Sequence, residues 1–220
     1  RVFERRMDPL LWAEAGLSST GGEIVPMPPA AGASGAVPAY GIEDMLVWGA
    51  LPEIPGLKPA DRADTLDAYA SLYIEQEVRA EALARNLAAF GRFLELAARE
   101  SGTSPNQNAL SQEAGVSAPA IRGYFDVLED TFLVERVEPY RRNARKRILA
   151  SPRYYFFDTG LRNACGGLSF SRRLLATEGG RLFEHFIVLE AARRIRALGL
   201  HWRLHYWRTS GGAEVDLVID

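Results

Sequence analysis

The sequence predicts a helix-rich α+β chain, and three observations carry that expectation. Apolar residues recur at helical spacing from Ala63 to Glu100, from Ala118 to Phe132 and from Glu178 to Leu198. Four short runs rich in aromatic and β-branched residues read as strands: FLVERVEPY, RYYFFDT, HWRLHYWRT and AEVDLVID. Between Asn108 and Thr159 the order is short helix, tight turn, longer helix and two-stranded ribbon, which is the order of a winged helix-turn-helix.

Each element has a local reason. Leu66, Tyr69, Ala70 and Tyr73 make one helical stripe, and Leu83, Leu87, Phe90, Leu94 and Ala97 make another, closed by Ser101-Gly102. Gly115 supplies the turn after NALSQEA, and Ser117 is placed to cap the helix that follows. Ile121, Phe125, Leu128 and Phe132 fall at i, i+4, i+7 and i+11, a single stripe expected to face a core. The last two strands are joined through Ser-Gly-Gly as a hairpin. Residues 18–40, rich in Gly, Pro, Ala and Ser, read as a linker or loop.

Composition narrows the class of protein. The chain of 220 residues is 47% hydrophobic and 25% charged, with a net charge of -2, an ordinary globular balance. Cys165 is the single cysteine, so disulfides and cysteine metal sites are excluded and a cytoplasmic setting is expected. No apolar run approaches the roughly 20 residues that span a bilayer, so no membrane partner is expected. A start without Met at RVFERRMDPLL reads as the interior of a longer protein, and the other end reads as cut as well. No phosphate loop is present, since neither lysine, Lys58 or Lys146, has the required glycine and hydroxyl neighbours.

Two groups of residues draw attention. Arg141, Arg142, Arg145, Lys146 and Arg147 put five positive charges in seven positions between the ribbon strands. Such a cluster suits the phosphate backbone of DNA without reading sequence, or a protein partner, including a second copy. The preceding helix exposes Arg122 but also Asp126, Glu129 and Asp130, which oppose DNA and suit a protein contact better. In the second group, Glu184 shares a helical face with Ile187, Val188, Ala191 and Ile195, where a carboxylate needs a partner, a proton or a cation. A place at the edge of the stripe, or near enough to the helix start to favour a negative charge, is the simpler explanation on helical periodicity alone. Glu190 is expected on the outer side, paired with Arg194. In the last strand Val215, Leu217 and Ile219 should point one way, and Glu214, Asp216 and Asp220 the other. Asp216 and Glu214 would then stand roughly 7 Å apart, too far to share one small cation unless a helix carboxylate helps. His185, His201 and His205 form no recognisable zinc or triad set.

The run from Tyr73 to Cys165 resembles a family of prokaryotic AAA-type ATP-binding proteins with a long C-terminal region. The likeness continues through GGRLFEHFIVLEAARR and YWRTSGGAEVDLVID, and upstream through MLVWGALPEIPG and RVFERRMDPLLWAE. It implies an ATP-binding domain preceding Arg1 and outside this chain. It also implies a C-terminal core similar to restriction-endonuclease-like PD-(D/E)xK folds, of which this chain holds a part. In that pattern Glu184 matches the helix carboxylate and Asp216 the strand carboxylate of a Mg²⁺-dependent catalytic site. The third element, a (D/E)-x-K strand, has no counterpart here. The resulting division is 1–62 as linker and end of the upstream region, 63–165 as helical and winged-helix domain, and 166–220 as partial nuclease-like core. The functions that follow are a DNA- or partner-binding arm of an ATPase, a metal-dependent nuclease in the longer protein, or a non-catalytic interaction scaffold.

Overall fold

The computed structural model describes residues 8–12, 14, 40–80, 87–140, 151–209 and 211–220. Among these the fold is α+β, with seven α-helices and one mixed four-stranded sheet. The helices are α1 (Ile42–Trp48), α2 (Pro59–Ala80), α3 (Leu87–Arg99), α4 (Gln107–Ala114), α5 (Ala118–Asp130), α6 (Thr159–Cys165) and α7 (Leu174–Ala197). The strands are β1 (Val134–Pro139), β2 (Arg153–Phe156), β3 (Leu204–Arg208) and β4 (Glu214–Ile219).

Local chemistry sets the helical part. Asn106 caps α4 by accepting from the Asn108 and Ala109 amides, and Gly115 ends it in the left-handed conformation at φ 71°. The Ser117 hydroxyl then accepts from the Ala120 amide to start α5. The stripe predicted on α5 faces inward at Ile121, Phe125 and Leu128, which pack with Phe90, Phe93 and Leu110 of α3 and α4. Phe132 departs from it: the helix has already ended, and Phe132 is 45% exposed at φ 59°. Its amide bonds to the Glu129 carbonyl and that of Leu133 to Leu128, the paired bonds of a Schellman cap usually built on glycine.

β1 and β2 pair antiparallel from Val134↔Phe156 to Val137↔Arg153. β1 also pairs parallel with β3 through Glu138↔His205 and Pro139↔Tyr206, and β3 pairs antiparallel with β4. The sheet order β2-β1-β3-β4 therefore carries the winged-helix ribbon and the terminal hairpin in one layer, across the boundary expected at 165/166.

The terminal hairpin corrects a sequence expectation. His205 faces Val218 and Trp207 faces Val215, so two steps on β3 match three on β4: a bulge adds one residue to β4. Arg208 faces Glu214 and Leu204 faces Ile219, which puts Glu214 and Ile219 on the same side of the sheet. Simple alternation would have separated them. Leu217, with Leu204, packs against the cluster of Val137, Tyr155, Val188, Leu189 and Tyr206.

Residues 40–57, assigned from sequence to a linker region, contribute to the core. Tyr40, Met45, Leu46, Ala50 and Ile54 pack with Leu66, Leu182 and Phe186. The junction between α1 and α6 is a backbone lock. The Asp158 carboxylate, fully buried, caps α6 at Leu161 N (3.0 Å) and receives the Ala50 amide (2.6 Å). Asn163 Nδ2 donates to the Leu46 and Val47 carbonyls at the end of α1, at 3.2 and 2.9 Å. Gly49, at φ 78° and ψ −164°, lies against Asp158, and Gly160 lies against the Trp48 carbonyl; a Cβ at either would overlap those atoms. Gly160→Ala should cost about 1–3 kcal/mol, whereas Gly123→Ala, in open space on α5, should stabilise by about 0.5–1 kcal/mol. Thermal melts of the two variants, moving in opposite directions, check the lock.

Candidate functional site: a carboxylate cluster on Arg153

α7 presents a different face from the one its sequence pattern predicts. Leu182, His185, Phe186 and Leu189 are buried, while Ile187 is 38% exposed. Glu190 pairs with Arg194 at 2.7 Å as expected, but it is buried rather than outward, and it accepts the Trp12 amide. His185 is a core residue. Its Nε2 lies 2.6 Å from the Phe156 carbonyl, which can only accept, so the ring proton sits on Nε2. Burial, beside Arg162 and Arg193, lowers its pKa to about 3.

On the flank of α7, Glu184 is half-buried and faces the start of β2. There the Arg153 guanidinium meets three carboxylates from two elements. Its NH1 donates to Glu184 Oε1 at 3.2 Å and to Asp216 Oδ1 at 3.4 Å, and its NH2 pairs with Glu214. The Tyr155 hydroxyl donates to the same Glu184 oxygen at 2.8 Å. Below, the Tyr206 ring stacks on the guanidinium at 4.4 Å, and the Tyr206 hydroxyl donates to the Ser151 carbonyl at 2.6 Å. Val137, Tyr155, Val188, Leu189 and Tyr206 form the apolar floor.

The electrostatics follow from burial and proximity. Glu184 has its pKa raised, first by burial and then by Asp216, against the lowering effects of Tyr155 and Arg153. Arg153 is buried, which works against its charge, yet its neighbours Tyr155, Glu184 and Asp216 outweigh that and raise its pKa. The guanidinium ties β2, α7 and β4 together, and with three carboxylates around it the joint is net negative, Arg208 adding a second cation at 3.8 Å from Glu214.

Of the residues singled out from sequence, Glu184 and Asp216 are brought to one point. Glu214, two residues before Asp216 on the same strand, joins them as alternation predicts, and the register shift between Val215 and Val218 puts Glu214 on the side that Ile219 also faces. Asp220 is elsewhere, bonded through its backbone to Arg203. Arg141, Arg142, Arg145, Lys146 and Arg147 lie outside the described residues, in the connection from β1 to β2. Arg153 and Tyr155 were missed; the only sequence signal is that both open the strand following that connection. The oxygens of Glu184 and Asp216 are of the type that holds Mg²⁺, but in this arrangement the guanidinium engages them. As arranged, the cluster fits a guanidinium rather than Mg²⁺. Among the described residues no group of three or more His, Cys, Asp or Glu side chains is disposed to hold a metal ion.

Fold and site define a class: an α+β protein in which a winged-helix ribbon, a long helix and a terminal hairpin meet at one arginine. Residues 40–172 match the family described as a domain of unknown function, DUF8612, and the chain belongs to that family. Residues 179–220 match a second domain of unknown function, DUF4143. Relatives include the uncharacterized proteins Rv2008c of Mycobacterium tuberculosis and Mb2031c of Mycobacterium bovis. Each is 27% identical over 172 residues, covering 77% of this chain and 38% of the relative. The chain thus spans well under half the length of these curated relatives. No solved structure matches. Among the described residues no helix is long and apolar enough to cross a membrane.

Proposed function

We propose that this chain is a binding arm of an AAA-type ATP-binding protein and contacts the phosphate backbone of DNA through the connection between β1 and β2. The observation that carries this reading is the placement of five cations, Arg141 to Arg147, in the connection of an antiparallel pair that follows a helix-turn-helix. The ATPase link is supported by the resemblance of the sequence and by the C-terminal match, to a domain typically found at the C-terminus of AAA-ATPase-like proteins. ATP belongs to a part of the protein outside this chain.

The exposed side of α5 argues for backbone contact without sequence reading. Arg122 is its one cation, beside exposed Asp126 and Asp130 and half-buried Glu129, and this acidic surface repels the grooves. In an anisotropy titration, duplex DNA should bind the chain and lose at least tenfold in affinity on replacing Arg141, Arg142 and Arg145 by alanine. Unchanged affinity would refute the reading in favour of a protein partner.

A metal-dependent phosphodiesterase is the second reading, favoured by the convergence of Glu184 and Asp216. It is the weaker one, because Arg153 would have to leave both carboxylates. Plasmid nicking by the longer protein that vanishes in Asp216→Asn would support it.

A further inference from the structure

We propose that residues 8–12 are a releasable peptide strap, and that the surface beneath it on α7 is a docking groove which the same segment of a second copy can fill. The strap makes directional contacts at alternate positions. Asp8 receives both Nε and NH2 of Arg196, at 2.8 and 2.7 Å. Leu10 donates its amide to the Ala50 carbonyl at 2.8 Å and accepts from Arg193 at 3.2 Å. Trp12 donates its amide to the Glu190 carboxylate and sets its ring edge-on to Phe186, centroids 5.9 Å apart. Backbone bonds with side-chain selection at every second residue are how a groove reads an extended peptide.

The groove does not depend on the strap for its shape. Arg193 also donates to the Phe157 carbonyl at 2.6 Å, Glu190 also pairs with Arg194 at 2.7 Å, and Arg196 also pairs with Glu135 at 2.9 Å. Each polar side chain that touches the strap is thus held by a second partner in the body of the fold. Apart from Pro9, which is buried, the strap is lightly covered: Trp12 is 38% exposed, and Leu10 is only partly buried at the edge of the Met45–Phe186 cluster. Residues 13–39 join it to Tyr40, a separation that permits the same contacts in cis or between two copies.

The test uses the full chain and a fluorescein-labelled peptide of residues 5–16. Asp8→Ala with Trp12→Ala should free the groove, so that the peptide binds this variant at least tenfold more tightly than the unaltered chain, where the tethered strap competes. Adding Arg196→Glu should abolish binding, and a peptide carrying arginine at the Asp8 position should restore it. Equal binding to both chains, indifference to Arg196→Glu, or no binding would overturn the proposal. Amide exchange provides the second measurement. In Trp12→Ala alone, the Leu10 amide should exchange faster while Leu133 and Phe157 keep their protection. Global loss of protection in that variant would mean that the segment is an inseparable part of the core, and would equally overturn it.

Discussion

Arg153→Met is expected to destabilise the fold by about 3 kcal/mol, because it removes the one cation shared by Glu184, Glu214 and Asp216. Breaking a buried pair from one side leaves charge uncompensated, which typically costs 3–5 kcal/mol. The figure belongs at the low end here, since the side chains of Glu184 and Glu214 keep 28% and 29% of their exposure and Asp216 keeps 58%. The loss should shrink at acid pH, where the carboxylates take up protons. Glu184→Gln with Asp216→Asn, added to Arg153→Met, should recover most of the stability. Urea unfolding of the three chains decides it. An Arg153→Met protein as stable as the original would mean that the ion pairs are surface decoration.

The second large effect is a loss of stability in acid traceable to His185. In the unfolded chain this imidazole protonates near 6.5, whereas in the fold burial holds it neutral down to about 3. Between these values the unfolded state binds the extra proton. The stability present above pH 6.5 is therefore lost as pH falls, by up to ~1.4 kcal/mol per pH unit, until the folded ring protonates. Buried carboxylates such as Asp158 and Glu190, with raised pKa values, act in the opposite sense, binding protons more readily in the fold. The informative quantity is thus the difference between the unaltered chain and His185→Gln, whose amide can still donate to the Phe156 carbonyl. The Gln variant should be less stable near neutrality but flatter with pH between 6.5 and 4. Parallel curves would contradict the assignment.

Much of the architecture was legible because it rests on local signals. The apolar periodicity of α3 and α5, the Ser117 cap and the Gly115 turn all act within one or two helical turns, so sequence spacing reports them; on α2 and α7 it reports a helix but misplaces part of the buried face, since Tyr69 and Ile187 are exposed. α1 and α6 were not seen. Each has seven residues, too few for a period to emerge, and their burial comes from the long-range Asp158 and Asn163 bonds. Residues 40–57 fell within the 1–62 linker and upstream region of the division drawn from the resemblance, yet Gly49 is required there by close backbone packing.

The candidate site was half legible. A carboxylate among aliphatics marked Glu184, and strand alternation marked Asp216 and Glu214. Alternation failed after Asp216, because the bulge that changes the register of β4 depends on its pairing with β3. Arg153 was hidden by context, one more arginine after a run rich in them. Only the fold shows that it is buried and faces three acids while Arg141 to Arg147 precede the strand. The joint also bears on function, since Arg153 opens β2 directly after the basic connection and fixes where that connection ends.

The central claim, DNA contact through that connection, is tested most directly by the salt dependence of binding. Each phosphate neutralised contributes about −0.9 to the slope of log K against log salt on duplex DNA. The unaltered chain should show a steep negative slope, and replacing Arg141, Arg142 and Arg145 by alanine should make it shallower by roughly 2–3. The same slope for both proteins, or binding indifferent to salt, would contradict the account.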